Sequence, residues 1–107
     1  METLRNSIND LISSLNTVRN NSNDPQEQQQ LQEILRVLFK IWEESINQTL
    51  DMNNSAYIAA LESLGDAKKM AIEAVSDSKK VAEVIKAATQ AANAVVSVIG
   101  AIGPMLL

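Results

Sequence analysis

The sequence predicts an all-α protein, an antiparallel four-helix bundle that forms one domain. Apolar residues recur at alternating spacings of three and four in four segments, which is the period of one face of a helix. The segments have matching lengths of roughly 20–26 residues, or about 30–39 Å at 1.5 Å per residue, as a bundle requires. No segment alternates apolar and polar residues in the manner of a strand. The four predicted helices span about residues 3–20, 25–50, 55–75 and 78–100 of the single domain, which comprises residues 1–107.

The first two helices have the clearest signals. In the first, one narrow apolar seam consists of Leu4, Ile8, Leu11, Leu15 and Val18. Asp24 is the predicted N-cap of the second helix, Pro25 its first residue, and Glu27 the capping-box partner. The second helix carries a wide apolar arc of Leu31, Ile34, Leu35, Leu38, Ile41, Trp42 and Ile46, with Val37 and Phe39 at its edges. An arc of this width predicts contact with two neighbouring helices.

The last two helices have smaller apolar residues. The predicted buried face of the third consists of Tyr57, Ile58, Leu61, Leu64, Ala67, Ala71 and Val75. The predicted buried face of the fourth consists of Val81, Val84, Ile85, Ala88, Ala92, Val95, Ile99 and Ile102. Gly65 weakens the third helix by about 1 kcal/mol relative to alanine. Ser76-Asp77-Ser78 is either a capped turn or part of one long bent helix from about Ser55 to Gly100, which would give three helices in total.

The composition excludes several kinds of chemistry. The chain contains neither cysteine nor histidine. Disulfides, thiolate nucleophiles, the usual zinc ligand sets and imidazole general bases are therefore excluded. The adjacent pair Glu43 and Glu44 cannot converge on one substrate, because neighbours on a helix diverge by about 100°. We therefore expect no enzymatic activity and no cofactor.

Charge is unevenly distributed along the chain. Residues 1–51 have four basic and eight acidic side chains, whereas residues 52–107 have five of each. No basic stripe with interleaved aromatic residues is present, so nucleic acid is not an expected partner. The first residues lack a basic stretch followed by an apolar run, which is the pattern of a secretory signal. The expected location is the cytoplasm, or outside the cell by a route that needs no such signal.

One segment resembles a calcium-binding EF-hand loop. Asp51–Glu62 has oxygen ligands at positions 1, 3 and 5, an apolar residue at position 8 and glutamate at position 12. Position 6, which is glycine in that loop, is Ala56 here. The resemblance implies a weak calcium sensor as a third functional hypothesis, behind the two given below, and no residue is assigned as a metal ligand.

The last 21 residues, Ala87–Leu107, contain no charged side chain. This length is enough to cross a bilayer. However, Gln90, Asn93, Ser97 and Pro104 oppose insertion, and eight strongly apolar residues contribute only a few tenths of a kcal/mol each. We expect instead that one flank of the fourth helix is core. The other flank, with Gln90, Asn93, Ser97 and Ala101, is expected to have a neighbour other than water.

These features predict a non-enzymatic module for helical self-assembly or protein interaction. Its partner would be another copy of the chain or a different helical protein, because an uncharged face of small residues suits close helix packing. The alternative is a membrane-active helical protein, such as a bacterial exported pore-forming toxin or a secretion-system component. The predicted contact residues are Trp42, Gln90, Asn93, Val95, Ser97, Val98, Ala101, Ile102, Leu106 and Leu107.

Overall fold

A computed structural model describes residues 3–46 and 55–99 of the chain. These residues form four packed α-helices without any strand, which confirms the prediction of an all-α four-helix bundle. A single 3-10 turn, Ser78–Lys80, precedes the last helix. The helices are α1 (Leu4–Asn21), α2 (Pro25–Ile46), α3 (Ser55–Ser76) and α4 (Val81–Ile99).

The three-helix alternative is wrong, because the chain turns between α3 and α4. Asp77 has an extended backbone, with φ −142° and ψ 97°, and its side chain accepts a hydrogen bond from the backbone nitrogen of Lys79 at 3.1 Å. Lys80 Nζ reaches back to Glu73 Oε2 at 3.2 Å. The hydrogen bond and the charge of Glu73 raise the pKa of Lys80 above its ordinary value. Asp77 therefore caps the turn and ends any continuous helix.

The bundle is built from two helical hairpins that lie side by side. Each hairpin, α1 with α2 and α3 with α4, is antiparallel, and α1 also packs on α3 while α2 packs on α4. The starts of α1 and α3 meet at Leu4 and Tyr57. Their ends meet where Val18 and Ala74 line the same cleft. Hence α1 and α3 run parallel, and the antiparallel order holds within each hairpin.

The turn between α1 and α2 is held by the predicted cap. Asp24 Oδ1 accepts a hydrogen bond from the backbone nitrogen of Gln26 at 2.9 Å, which satisfies one of the unpaired donors at the start of a helix. Glu27 does not complete a capping box. Its carboxylate accepts from Ser22 Oγ at 3.4 Å, and the same oxygen of Ser22 accepts from the backbone nitrogen of Asp24 at 3.2 Å.

The core differs between the two hairpins. The buried apolar residues of α1 and α2 are large, namely Leu4, Ile8, Leu11, Ile12, Leu15, Val18, Leu31, Leu35, Leu38 and Ile41. Those of α3 and α4 include seven alanines, namely Ala60, Ala67, Ala71, Ala74, Ala88, Ala91 and Ala92. Small side chains let two helix backbones approach closely. The contact between α3 and α4 is accordingly the most extensive in the bundle.

Two residues predicted to be buried on α3 are exposed. Ile58 is 47% exposed and Val75 is 41% exposed. Tyr57, Leu64, Ala67 and Ala71 are buried as predicted, Ala60 and Ala74 are buried with them, and Ile58 and Val75 lie outside this face. All five predicted core residues of α1 are buried, and Phe39, which was placed at the edge of the α2 arc, is exposed.

Candidate interaction surface

The solvent-facing side of α4 has no charge over its second half. Thr89, Gln90, Asn93 and Ser97 are all exposed there, and the last charged residue before them is Lys86. These four residues are called the uncharged face below. On the opposite side of the helix, Ala88, Ala91, Ala92 and Val95 are buried in the core. The amphipathic pattern of α4 therefore sets a buried apolar side against a side that is polar but neutral.

Both hydroxyl groups of the uncharged face donate to the helix itself. Thr89 Oγ1 donates to the carbonyl oxygen of Ile85 at 2.8 Å, and Ser97 Oγ donates to the carbonyl oxygen of Asn93 at 3.2 Å. A hydroxyl group has one hydrogen to donate. If a partner covered this face, both hydroxyl hydrogens would keep their present acceptors. Only the side-chain amide groups of Gln90 and Asn93 would need new hydrogen-bond partners.

Apolar side chains flank the uncharged face. Ala94 and Val98 lie on one side and Val96 on the other, and all three are half-buried against the core. Each presents part of its surface to solvent beside the polar stripe. The surface as a whole is thus a mixture of amide, hydroxyl and aliphatic groups.

Nine of the ten predicted contact residues fall into three groups. Gln90, Asn93 and Ser97 are exposed, and Val98 is half-buried. Trp42 is half-buried on α2 and packs against the core, on a different helix from the uncharged face. The remaining four that can be placed only by sequence, Ala101, Ile102, Leu106 and Leu107, lie outside the described residues.

Val95 is corrected to a core residue. Its side chain is 0% exposed, because it projects from the side of α4 that faces the other helices. A partner on the outer side of α4 could not reach it. Three alanines of α4, Ala88, Ala91 and Ala92, are likewise buried inside the bundle, against the rest of the core.

The calcium hypothesis does not fit the observed helix. Residues 51–54 lie outside the described residues, and Ser55–Glu62 form the first two turns of α3. Positions 5 to 12 of the proposed loop are therefore helical, whereas an EF-hand loop must wrap its ligands around the ion. Within residues 3–46 and 55–99, no cluster of three or more acidic side chains is arranged to hold a metal ion.

Sequence reasoning missed the exposed apolar residues of α3. Ile58, Ile72 and Val75 are more than two-fifths exposed, and Ile72 reaches 57%. Ile72 and Val75 line a shallow groove with Ser14 and Thr17 of α1. The available signal was the run of alanines on α3, which shows that a helix can bury small residues and leave larger ones outside.

An exposed aromatic residue lies on the α1–α2 side. Phe39 is 51% exposed and lines a groove between α1 and α2 with Ile12 and Leu35. Arg19 Nη1 donates to Gln32 Oε1 at 3.0 Å across the same pair of helices. Charged and polar side chains border this groove, unlike the uncharged face of α4.

Fold and surface together define the protein as a small all-α bundle with an uncharged outer face on its last helix. Comparison with protein-family models, with curated proteins and with solved structures gives no significant match. In the part of the chain that the structure describes, no helix combines the length and the apolar character that are needed to cross a bilayer.

Proposed function

We propose that the protein is a non-enzymatic helical module for self-assembly or protein interaction, and that the uncharged face of α4 is its contact surface. One observation carries the proposal. Between Lys86 and the end of α4, the exposed side chains are neutral and their hydroxyl groups are already hydrogen-bonded within the helix. The partner is a second copy of the chain or another helical protein.

The physical reason is the free energy of removing groups from water. The centres of protein interfaces are depleted in charged residues, because a charge that loses its water must be paired. The exposed side of α2, with Glu33, Arg36, Lys40 and Glu43, would lose four charged groups to burial. Burial of the uncharged face of α4 would remove from water only two side-chain amide groups that need new hydrogen-bond partners, those of Gln90 and Asn93.

In the single chain the uncharged face contacts solvent. Gln90, Asn93 and Ser97 are all exposed, so no other helix of the bundle supplies the neighbour that the sequence leads us to expect. Any neighbour of this face would have to be another molecule, and the exposure of these side chains does not by itself indicate one. The proposal therefore depends on association and is tested by measuring it.

The test is sedimentation equilibrium of the full chain across a wide range of concentration. We expect a concentration-dependent oligomer, and we expect Asn93→Glu to weaken it by about tenfold or more, since each tenfold corresponds to about 1.4 kcal/mol. Asn16→Glu is the matched control, because it makes the same change at an exposed position of α1. A strict monomer at high concentration, or equal effects of both variants, would count against the proposal.

Dye release from lipid vesicles distinguishes the membrane-active alternative. The proposed module should release no dye at concentrations where it associates in water. Release that disappears in Val98→Glu, while circular dichroism shows the helices intact, would favour the alternative. Val98 suits this test because it is half-buried beside the uncharged face and a charge there opposes insertion into a bilayer.

A further inference from the structure

The outer side of α3 carries a second, different stripe. Ile58, Glu62, Gly65, Lys69 and Ile72 follow one another at spacings of four, three, four and three, so they lie along one face of the helix. All five are exposed, and the two isoleucines are 47% and 57% exposed. These five residues are called the α3 stripe below. The two exposed isoleucines lie 14 residues apart on this face, about 21 Å along the helix, and the bundle itself covers neither fully.

We propose that the α3 stripe is a contact between two copies of this chain, related by a twofold axis, with their α3 helices antiparallel and crossing at Gly65. The proposal concerns a different helix from the uncharged face of α4 and does not depend on it. Three features of the stripe support a second copy as the occupant.

The first feature is the spacing of the isoleucines. Ile58 lies seven residues before Gly65, and Ile72 lies seven residues after it. A twofold interface places one surface against itself, so a residue and its mate must lie at equal distances from the axis. An axis at Gly65 sets Ile58 opposite the partner's Ile72, and it also sets Ile72 opposite the partner's Ile58. The apolar contacts of the stripe are thus complementary to themselves.

The second feature is charge complementarity. Glu62 lies three residues before Gly65 and Lys69 four residues after it. In the antiparallel arrangement, Glu62 approaches the partner's Lys69, and the reciprocal pair forms on the other side of the axis. A parallel arrangement would instead set like charges side by side. The two ion pairs among the described residues, Lys68 with Asp10 and Lys80 with Glu73, use neither Glu62 nor Lys69.

The third feature is Gly65 itself. A glycine inside a helix costs about 1 kcal/mol relative to alanine. A Cβ atom added at Gly65 would meet nothing within 4 Å, so packing within the chain does not require glycine there. The missing side chain allows a second helix backbone to approach closely at the centre of the stripe. Gly65 lies midway between the isoleucines, at the point where the two α3 helices cross, and a small residue is needed most at that point.

The test reverses the charges of the stripe in the full chain. We expect Glu62→Lys and Lys69→Glu each to weaken dimerisation by about tenfold or more, because each variant opposes like charges twice across the axis. The double variant should dimerise within about threefold of the original chain. An equimolar mixture of the two single variants should form a heterodimer, since both of its charge pairs are complementary. Sedimentation equilibrium measures all four samples.

The control is Glu43→Lys. It makes the same change of charge at an exposed position of α2, the helix diagonally across the bundle from α3. We expect its dissociation constant to stay within about twofold of the original. The proposal is overturned by a monomeric chain, by equal effects of Glu62→Lys and Glu43→Lys, or by a mixture that fails to recover dimers. If Asn93→Glu abolishes association while Glu62→Lys does not change it, the α3 stripe fails and the α4 face stands; the reverse result has the opposite meaning.

Discussion

Tyr57 joins the first turn of α3 to the first turn of α1. Its phenolic oxygen accepts a hydrogen bond from the backbone nitrogen of Leu4 at 2.9 Å, and the Tyr57 side chain is only 3% exposed. The backbone nitrogen of Leu4 is one of the donors at a helix start that no residue of the same helix can satisfy. The bond therefore sets the relative height of two parallel helices that belong to different hairpins.

Tyr57→Phe removes this bond and leaves the ring in place. We expect the free energy of unfolding to fall by about 1–3 kcal/mol, because the buried nitrogen of Leu4 loses its partner. Chemical denaturation measures the change, and an unaltered dependence on denaturant would show that the compactness of the folded state is kept. A loss well below about 0.5 kcal/mol would mean that water replaces the phenol at this site.

The alanine contact between α3 and α4 predicts sensitivity to added volume. Ala71→Leu inserts three carbon atoms where the wild-type side chain is fully buried. We expect a loss of about 1–3 kcal/mol in the free energy of unfolding, because the close-packed core around Ala71 must expand to admit the new side chain. Thermal or chemical denaturation reports it.

Ala59→Leu is the matched control for Ala71→Leu. Ala59 is exposed on the same helix, so the same change adds volume without strain and should alter stability by less than about 0.5 kcal/mol. If both variants lose the same free energy, the leucine affects α3 by some route other than its packing in the core.

Gly65→Ala predicts a gain in stability. The added methyl group meets open space, and the unfolded chain loses some of the freedom that glycine allows. We expect an increase of about 0.5–1 kcal/mol in the free energy of unfolding, measured at low protein concentration so that association does not contribute. A decrease would show that α3 requires glycine for a backbone reason, which would weaken the role given to Gly65 in dimerisation.

The sequence alone was enough to predict the helical segments and the buried sides of α1, α2 and α4, but it left open whether α3 and α4 are separate helices. Large apolar residues in α1 recur with the period of a helix, and Asp24-Pro25 carries its own local start signal. Both signals are local, because they depend on backbone geometry and hydrogen bonds within a few residues. The N-cap of Asp24 is accordingly present in the structure.

Only the tertiary structure decided which residues of α3 are covered. The helical period gives the angle between two side chains on one helix, but the neighbouring helices determine which side of that helix is covered. Close packing between α3 and α4 favours alanine in the contact, so Ile58 and Val75 face outward while Ala67 and Ala71 are buried. On α4, by contrast, Val84, Ala88 and Val95 are buried as the helical period predicts, and Val95 is wrong only as a contact residue. The physical reason is that burial depends on the distance between packed helices. The pattern of residues within a single helix carries no information about that distance.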